Sequence, residues 1–77
     1  MSKHTQTVVQ VDYIQDAPKN GMWYHIAYPN NSQDCEAQLV KWNDNCDLWD
    51  TIIIDGEDSY SCLLNEDGSS WADTINT

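Results

Sequence analysis

The sequence predicts an α+β fold, a small antiparallel β-sheet of about four strands in two hairpins with one α-helix packed on a face. Three observations carry the prediction. Apolar and polar residues alternate strictly near the start, the spacing switches to that of a helix in the middle, and two further β-rich runs flank a glycine turn. At 77 residues the chain is sized for a single domain, 1–77, whose small core leaves a thin margin of stability.

The first hairpin is expected over residues 7–28. Thr7, Val9, Val11 and Tyr13 alternate with Val8, Gln10, Asp12 and Ile14, the pattern of a half-buried strand. Pro18, Asn20 and Gly21 supply a turn. On the returning strand Met22, Tyr24, Ile26 and Tyr28 alternate with Trp23, His25 and Ala27, and Pro29 with Asn30-Asn31-Ser32 closes it. From Gln33 the period changes. Cys35, Leu39, Trp42, Cys46 and Trp49 fall at alternating steps of four and three, which predicts a helix over residues 33–44 capped by Asn31 or Ser32. Asp34 and Glu36 suit its positive end, and Asn43-Asp44-Asn45 stops it. The second hairpin is expected over residues 50–64, turning at Asp55-Gly56-Glu57-Asp58, with Ile53 opposite Tyr60 and Thr51 opposite Cys62. Asn65-Glu66-Asp67-Gly68 forms another turn, and residues 69–75 a short terminal element. Trp23 and Trp42 lie on element faces and are expected in the core.

Charge is the strongest functional signal. Thirteen Asp and Glu stand against three Lys and no Arg, a formal net charge of −10. That balance excludes a basic nucleic-acid reader and argues against a membrane-surface protein, both of which need Lys and Arg. Disorder fits poorly, because 40% of the residues are apolar and four Trp with four Tyr supply aromatic mass. Eleven of the thirteen acids lie between Asp34 and Asp73, with only Lys41 to offset them. Asp44, Asp47 and Asp50 recur every third residue, Asp55, Glu57 and Asp58 crowd one turn, and Glu66 and Asp67 occupy the next. Nothing in that half pairs them internally, and such an unpaired cluster steers a basic partner toward itself.

B-DNA carries a phosphate about every 3.4 Å along each strand, and same-face carboxylates on a β-strand sit roughly 6.6 Å apart. A rigid row of acids can therefore imitate a nucleic-acid backbone, with loop acids filling the gaps. Trp49 and Trp71, near element ends and within two residues of Asp50 and Asp73, join this surface as candidate hot-spot side chains. The competing interpretation is a solvated acidic face.

Other chemistries find little support. A calcium loop needs acidic or Asn ligands at alternate positions before its glycine, whereas Asp55, Ile53 and Thr51 precede Gly56, and Asp67, Asn65 and Leu63 precede Gly68. Position twelve of the latter frame is Thr74 rather than Glu. Cys35, Cys46 and Cys62 lack zinc spacing and are expected as buried structural thiols, so no metal and no cofactor is expected. His25 sits inside an alternating strand with no motif to pair it with a nucleophile, so no catalytic residue and no enzyme is expected. Residues Met1 to Thr5 carry no apolar signal segment, and no run approaches a membrane span. A cytoplasmic protein with reduced thiols follows, either monomeric or homodimeric.

Small, acidic α+β domains with unpaired carboxylate faces form a known class, and this chain resembles it. The class is that of phage-encoded DNA mimics: anti-restriction proteins, the uracil-DNA glycosylase inhibitor and several anti-CRISPR proteins. The resemblance lies in size, charge and the carboxylate-rich half from Asp34 to Asp73, without a shared motif. It implies an inhibitor of host defence in the host cytoplasm, directed at a basic DNA-binding protein or nucleoprotein complex such as a CRISPR surveillance complex, and not at nucleic acid itself. Two alternatives stand beside it: an acidic immunity protein or antitoxin that plugs a basic nuclease, and a small structural protein whose acidity serves only solubility.

Overall fold

The computed structural model describes residues 8–71. Six strands occur among them: β1 (Val9–Val11), β2 (Trp23–Ile26), β3 (Leu39–Asn43), β4 (Leu48–Asp55), β5 (Asp58–Tyr60) and β6 (Leu63–Leu64). They form one mixed sheet in the order β1-β2-β3-β4-β5, with β6 also paired to β4. The fold is therefore mostly sheet, and the α+β expectation with a packed helix is overturned. The terminal element expected over 69–75 falls largely outside the described residues, as does Asp73.

The segment expected to be helical is divided in two. Pro29–Asn31 form a single 3₁₀ turn, residues 32–38 run irregularly, and Leu39 onward is β3. Within β3 the burial alternates, with Val40 and Trp42 buried and Leu39, Lys41 and Asn43 half-buried. Asn43 Oδ1 accepts the Asn45 N–H at 3.0 Å, and Asp47 adopts a positive φ of 57°. Both features suit a tight turn, which returns the chain as β4 so that Trp42 faces Trp49. The helical spacing of Cys35, Leu39 and Trp42 is a coincidence of phase across a loop and a strand.

The first pair of strands also differs from expectation: β1 runs parallel to β2, with Val9 beside Tyr24 and Val11 beside Ile26. An antiparallel pair needs only a tight turn, whereas a parallel pair needs a crossover. Here residues 12–22 cross the sheet face, and a 3₁₀ turn at Ile14–Asp16 presses Ile14 and Ala17 into the core. The Tyr13 N–H donates to Asp16 Oδ2 across that turn at 3.3 Å. Burial of Ile14 and Ala17 helps hold the crossover down.

The second hairpin forms as its turn requires. Ile53 faces Tyr60 and Asp55 faces Asp58, with Gly56 at the first loop position taking a φ of 66°. The same register continues through Trp49 opposite Leu64. Between these pairings Thr51 replaces main-chain bonds with its side chain. Its buried hydroxyl accepts the Cys62 N–H at 2.9 Å and donates to the Cys62 carbonyl at 2.6 Å.

The core lies on one face of the sheet, where Tyr24, Ile26, Val40, Trp42, Trp49 and Leu64 meet Ile14, Ala17 and Ala37 from the covering segments. Trp42 and Trp49 pack edge to face with centroids 5.1 Å apart. Irregular chain does the covering that a helix was expected to do. Asp34 ties it in place: its N–H donates to the Gly68 carbonyl at 3.0 Å, and its carboxylate accepts the Ser70 N–H at 2.8 Å. Gly68, at a φ of 90°, lies so close that a Cβ there would stand 2.5 Å from the Ser32 carbonyl oxygen. Cys35 is joined to Cys62 by a disulfide, while Cys46 is exposed on the β3–β4 turn. The expectation of three buried, reduced thiols is corrected on both counts.

Candidate partner-binding surface

The carboxylates expected to form one row are divided by the sheet into two groups. Asp44 and Asp47 sit on the β3–β4 turn, and Glu66 and Asp67 follow β6 at the same end, because Leu64 pairs with Trp49. Asp55, Glu57 and Asp58 occupy the β4–β5 turn at the far end. The eight residues of β4 separate the ends by roughly 25 Å at about 3.3 Å per residue. Asp50 alone lies between them, on the face of β4 away from the core.

These acids are not equivalent. Asp44, Asp47, Asp55, Glu57 and Asp58 are exposed, and none makes a side-chain hydrogen bond or ion pair with a described residue. Asp55 and Asp58 stand directly opposite each other as a β-pair. Like charges in that relation are destabilising, so the turn concentrates charge at a cost to the fold.

The remaining acids have structural work. Glu66 forms an ion pair with Lys19 at 2.7 Å, a partner from outside the acidic half, so the expectation that this carboxylate stands unpaired is corrected. Lys19 also stands 4.9 Å from the centroid of the Trp42 ring, tying the crossover to both β3 and the turn after β6. Asp67 Oδ1 accepts the Ser69 hydroxyl at 2.6 Å and the Ser69 N–H at 2.9 Å. The hydroxyl bond first, and the main-chain bond second, hold its carboxyl below the ordinary Asp range. Asp50 Oδ2 accepts the Asn43 amide at 3.4 Å.

Of the two tryptophans expected at the surface, Trp71 is 37% exposed and Trp49 is 1% exposed. Trp49 is a core side chain whose indole N–H donates to the Glu66 carbonyl at 3.5 Å, so a partner cannot reach it. Trp23 shows the reverse error. Expected in the core, it is half-buried on the opposite face from Tyr24 and Ile26. Its position one residue out of phase with those two was the signal that could have placed it there.

Among the described residues no group of His, Cys, Asp and Glu is arranged to hold a metal ion. No helix among them is long and apolar enough to cross a membrane. What the geometry defines is a class in broad terms: a single mixed β-sheet, covered on one face by irregular chain, with unpaired carboxylates at both ends. No protein-family model matches the chain, and comparison with curated proteins and with solved structures gives no match.

Proposed function

We propose that the protein is a non-enzymatic inhibitor that presents its unpaired carboxylates to the Lys/Arg surface of a DNA-binding protein or complex, in place of the DNA backbone. The observation that carries this reading is the Asp55–Asp58 pair flanking Gly56 and Glu57. Solubility needs negative charge, but it does not need two aspartates opposed across a hairpin where they weaken it. The Asp44 and Asp47 group, roughly 25 Å away along β4, supplies a second contact at about seven phosphate steps of one DNA strand. Both groups sit on tight turns anchored in one sheet, so little order has to be gained on docking. The resemblance to phage DNA mimics makes a CRISPR surveillance complex the first target to try.

Capture of partners from bacterial lysate, followed by elution with duplex DNA or with rising salt, tests the reading. The target is expected to be displaced by both. The decisive variant combines Asp44→Asn, Asp47→Asn, Asp55→Asn, Glu57→Gln and Asp58→Asn. It spares Glu66 and Asp67, which hold the fold, and Asn tolerates the positive φ at residue 47. Association with the target is expected to slow by roughly ten- to a thousand-fold. Unchanged binding by this folded variant would defeat the mimic reading. A target that duplex DNA does not displace would favour a nuclease plug instead.

A further inference from the structure

The sheet has a second face, and its chemistry is unlike that of the acidic ends. Cross-strand register aligns Trp23, Lys41, Asp50 and Leu63 in one row across β2, β3, β4 and β6. The next row aligns Leu39 with Ile52. All six side chains are half-buried, and the segments that close the core pack on the other side of the sheet. A groove of about 680 Å³ runs over this face between Trp23 and Trp71, with Asp50, Ile52 and Leu63 among its lining residues. A solvated sheet face is ordinarily polar, so four large apolar side chains here require an explanation.

The two charges are the informative part. Lys41 and Asp50 are cross-strand neighbours, yet no ion pair joins them. The Lys41 ammonium stands instead 5.1 Å from the centroid of the Trp23 ring. Both are half-buried, and neither makes an ion pair with a described residue; the polar contact of Asp50 is the Asn43 amide at 3.4 Å.

We infer that this face binds a second copy of the chain, about a two-fold axis parallel to the strands and midway between β3 and β4. Rotation about that axis exchanges β3 with β4 and β2 with β6. Lys41 then meets Asp50 of the second copy, Trp23 meets its Leu63, and Leu39 meets its Ile52. The row reads apolar, positive, negative, apolar, and it is its own complement under this operation, as an isologous interface requires. Sheets packed face to face lie about 10 Å apart, a gap that opposed long side chains can fill. A foreign partner would not need this internal symmetry.

The geometry also sets the sign of the salt effect. The axis leaves direction along the strands unchanged, so the acidic ends of the two copies lie side by side. Their repulsion is long-range and screened by salt, whereas the apolar contacts are not. Dimerisation therefore strengthens from low to moderate ionic strength, while docking on a basic target weakens. The two activities can fail independently and be told apart.

Sedimentation equilibrium over micromolar to millimolar protein, at low and moderate salt, provides the test. The wild-type chain is expected to show a monomer–dimer equilibrium, tighter at moderate salt. Lys41→Asp opposes two carboxylates at each symmetric contact and is expected to be monomeric, as is Asp50→Lys, which opposes two ammonium groups. The double variant restores both pairs and is expected to recover the dimer. Ile52→Ser, on the same face and away from both charges, covers the case in which a charge variant does not fold, and it is expected to weaken association. A wild-type chain that is monomeric throughout leaves the face to another partner and overturns the proposal. Undiminished dimerisation of folded Lys41→Asp or Ile52→Ser overturns it equally.

Discussion

The two faces of this sheet are cut from the same strands, yet the described residues seal only one of them along its length. On the packed face Val40, Trp42, Trp49 and Leu64 are buried by irregular chain from the crossover and from the segment before β3. On the open face Leu48 is buried at the β3–β4 end, but Leu39, Ile52 and Leu63 are only half-buried, and Ile54 at the end of β4 is 53% exposed. The difference shows that alternation in a strand specifies two faces but not what covers each. Cover is decided elsewhere in the chain, here by Ile14, Ala17 and Ala37, three residues in segments without extended regular structure.

Substitution on each face breaks this comparison most directly. Trp49→Ala removes the largest fully buried side chain and is expected to cost about 3–5 kcal/mol, comparable with the whole stability of so small a chain. Ile52→Ala on the open face, at dilute protein, is expected to cost about 1 kcal/mol or less. Urea denaturation followed by tryptophan fluorescence measures both. Equal losses would mean that the open face is sealed after all.

The disulfide sharpens the comparison, because it fastens the covering chain to the sheet. Cys35 and Cys62 are 27 residues apart, and closing a loop of that length contributes about 3.5 kcal/mol in the chain-entropy account. Replacing both with Ser, or adding a reductant, is expected to lower the melting temperature markedly. Hydrogen exchange should rise first in residues 32–38 and last in β3 and β4.

The smallest effect is expected from Asp67, whose turn abuts the covering segment. Its folded-state carboxyl titrates below the ordinary range because Ser69 stabilises the ionised form. Its contribution is therefore complete above the unfolded pKa and is lost as pH falls through the depressed folded value. Thermal melts of the wild type and of Asp67→Asn are expected to differ near neutrality and to begin converging only as the pH falls below the unfolded Asp value of about 3.9, meeting below the depressed folded value. A gap that persists in acid would assign the effect to something other than this charge.

Much of the sheet was legible in the sequence, and the failures have definite physical causes. The hairpin around Gly56 was readable because a short turn fixes its own register: the four-residue turn expected at Asp55–Asp58 and the two-residue loop observed inside it both set Ile53 opposite Tyr60. The run from Trp23 to Ile26 was readable as a strand, but its partner direction was not, since nothing local announces that Ile14 will sink into a distant core. The helix over 33–44 failed because three apolar residues at steps of four and three fit a short helix and, by accident, a loop followed by a strand. The signal for β3 was the alternation from Leu39 to Asn43, ending in Asn-Asp-Asn. In the candidate site, exposure of the turn acids was legible from their residue types. The diversion of Glu66 to Lys19 and of Asp67 to Ser69 was not, because the first contact spans 47 residues and the second depends on a turn conformation. Trp49 was misplaced for the same reason as the helix.

The edge-to-face pair of Trp42 and Trp49 has an optical consequence. Two indoles with centroids 5.1 Å apart couple their electronic transitions, and a fixed, chiral arrangement of that kind produces a paired band of opposite signs in circular dichroism. Trp23 and Trp71 lie outside this couple, on the open face and its groove. The molecule thus carries two separable spectroscopic gauges: the couplet follows the integrity of the β3–β4 hairpin, while the emission of the outer indoles follows whatever comes to rest against them.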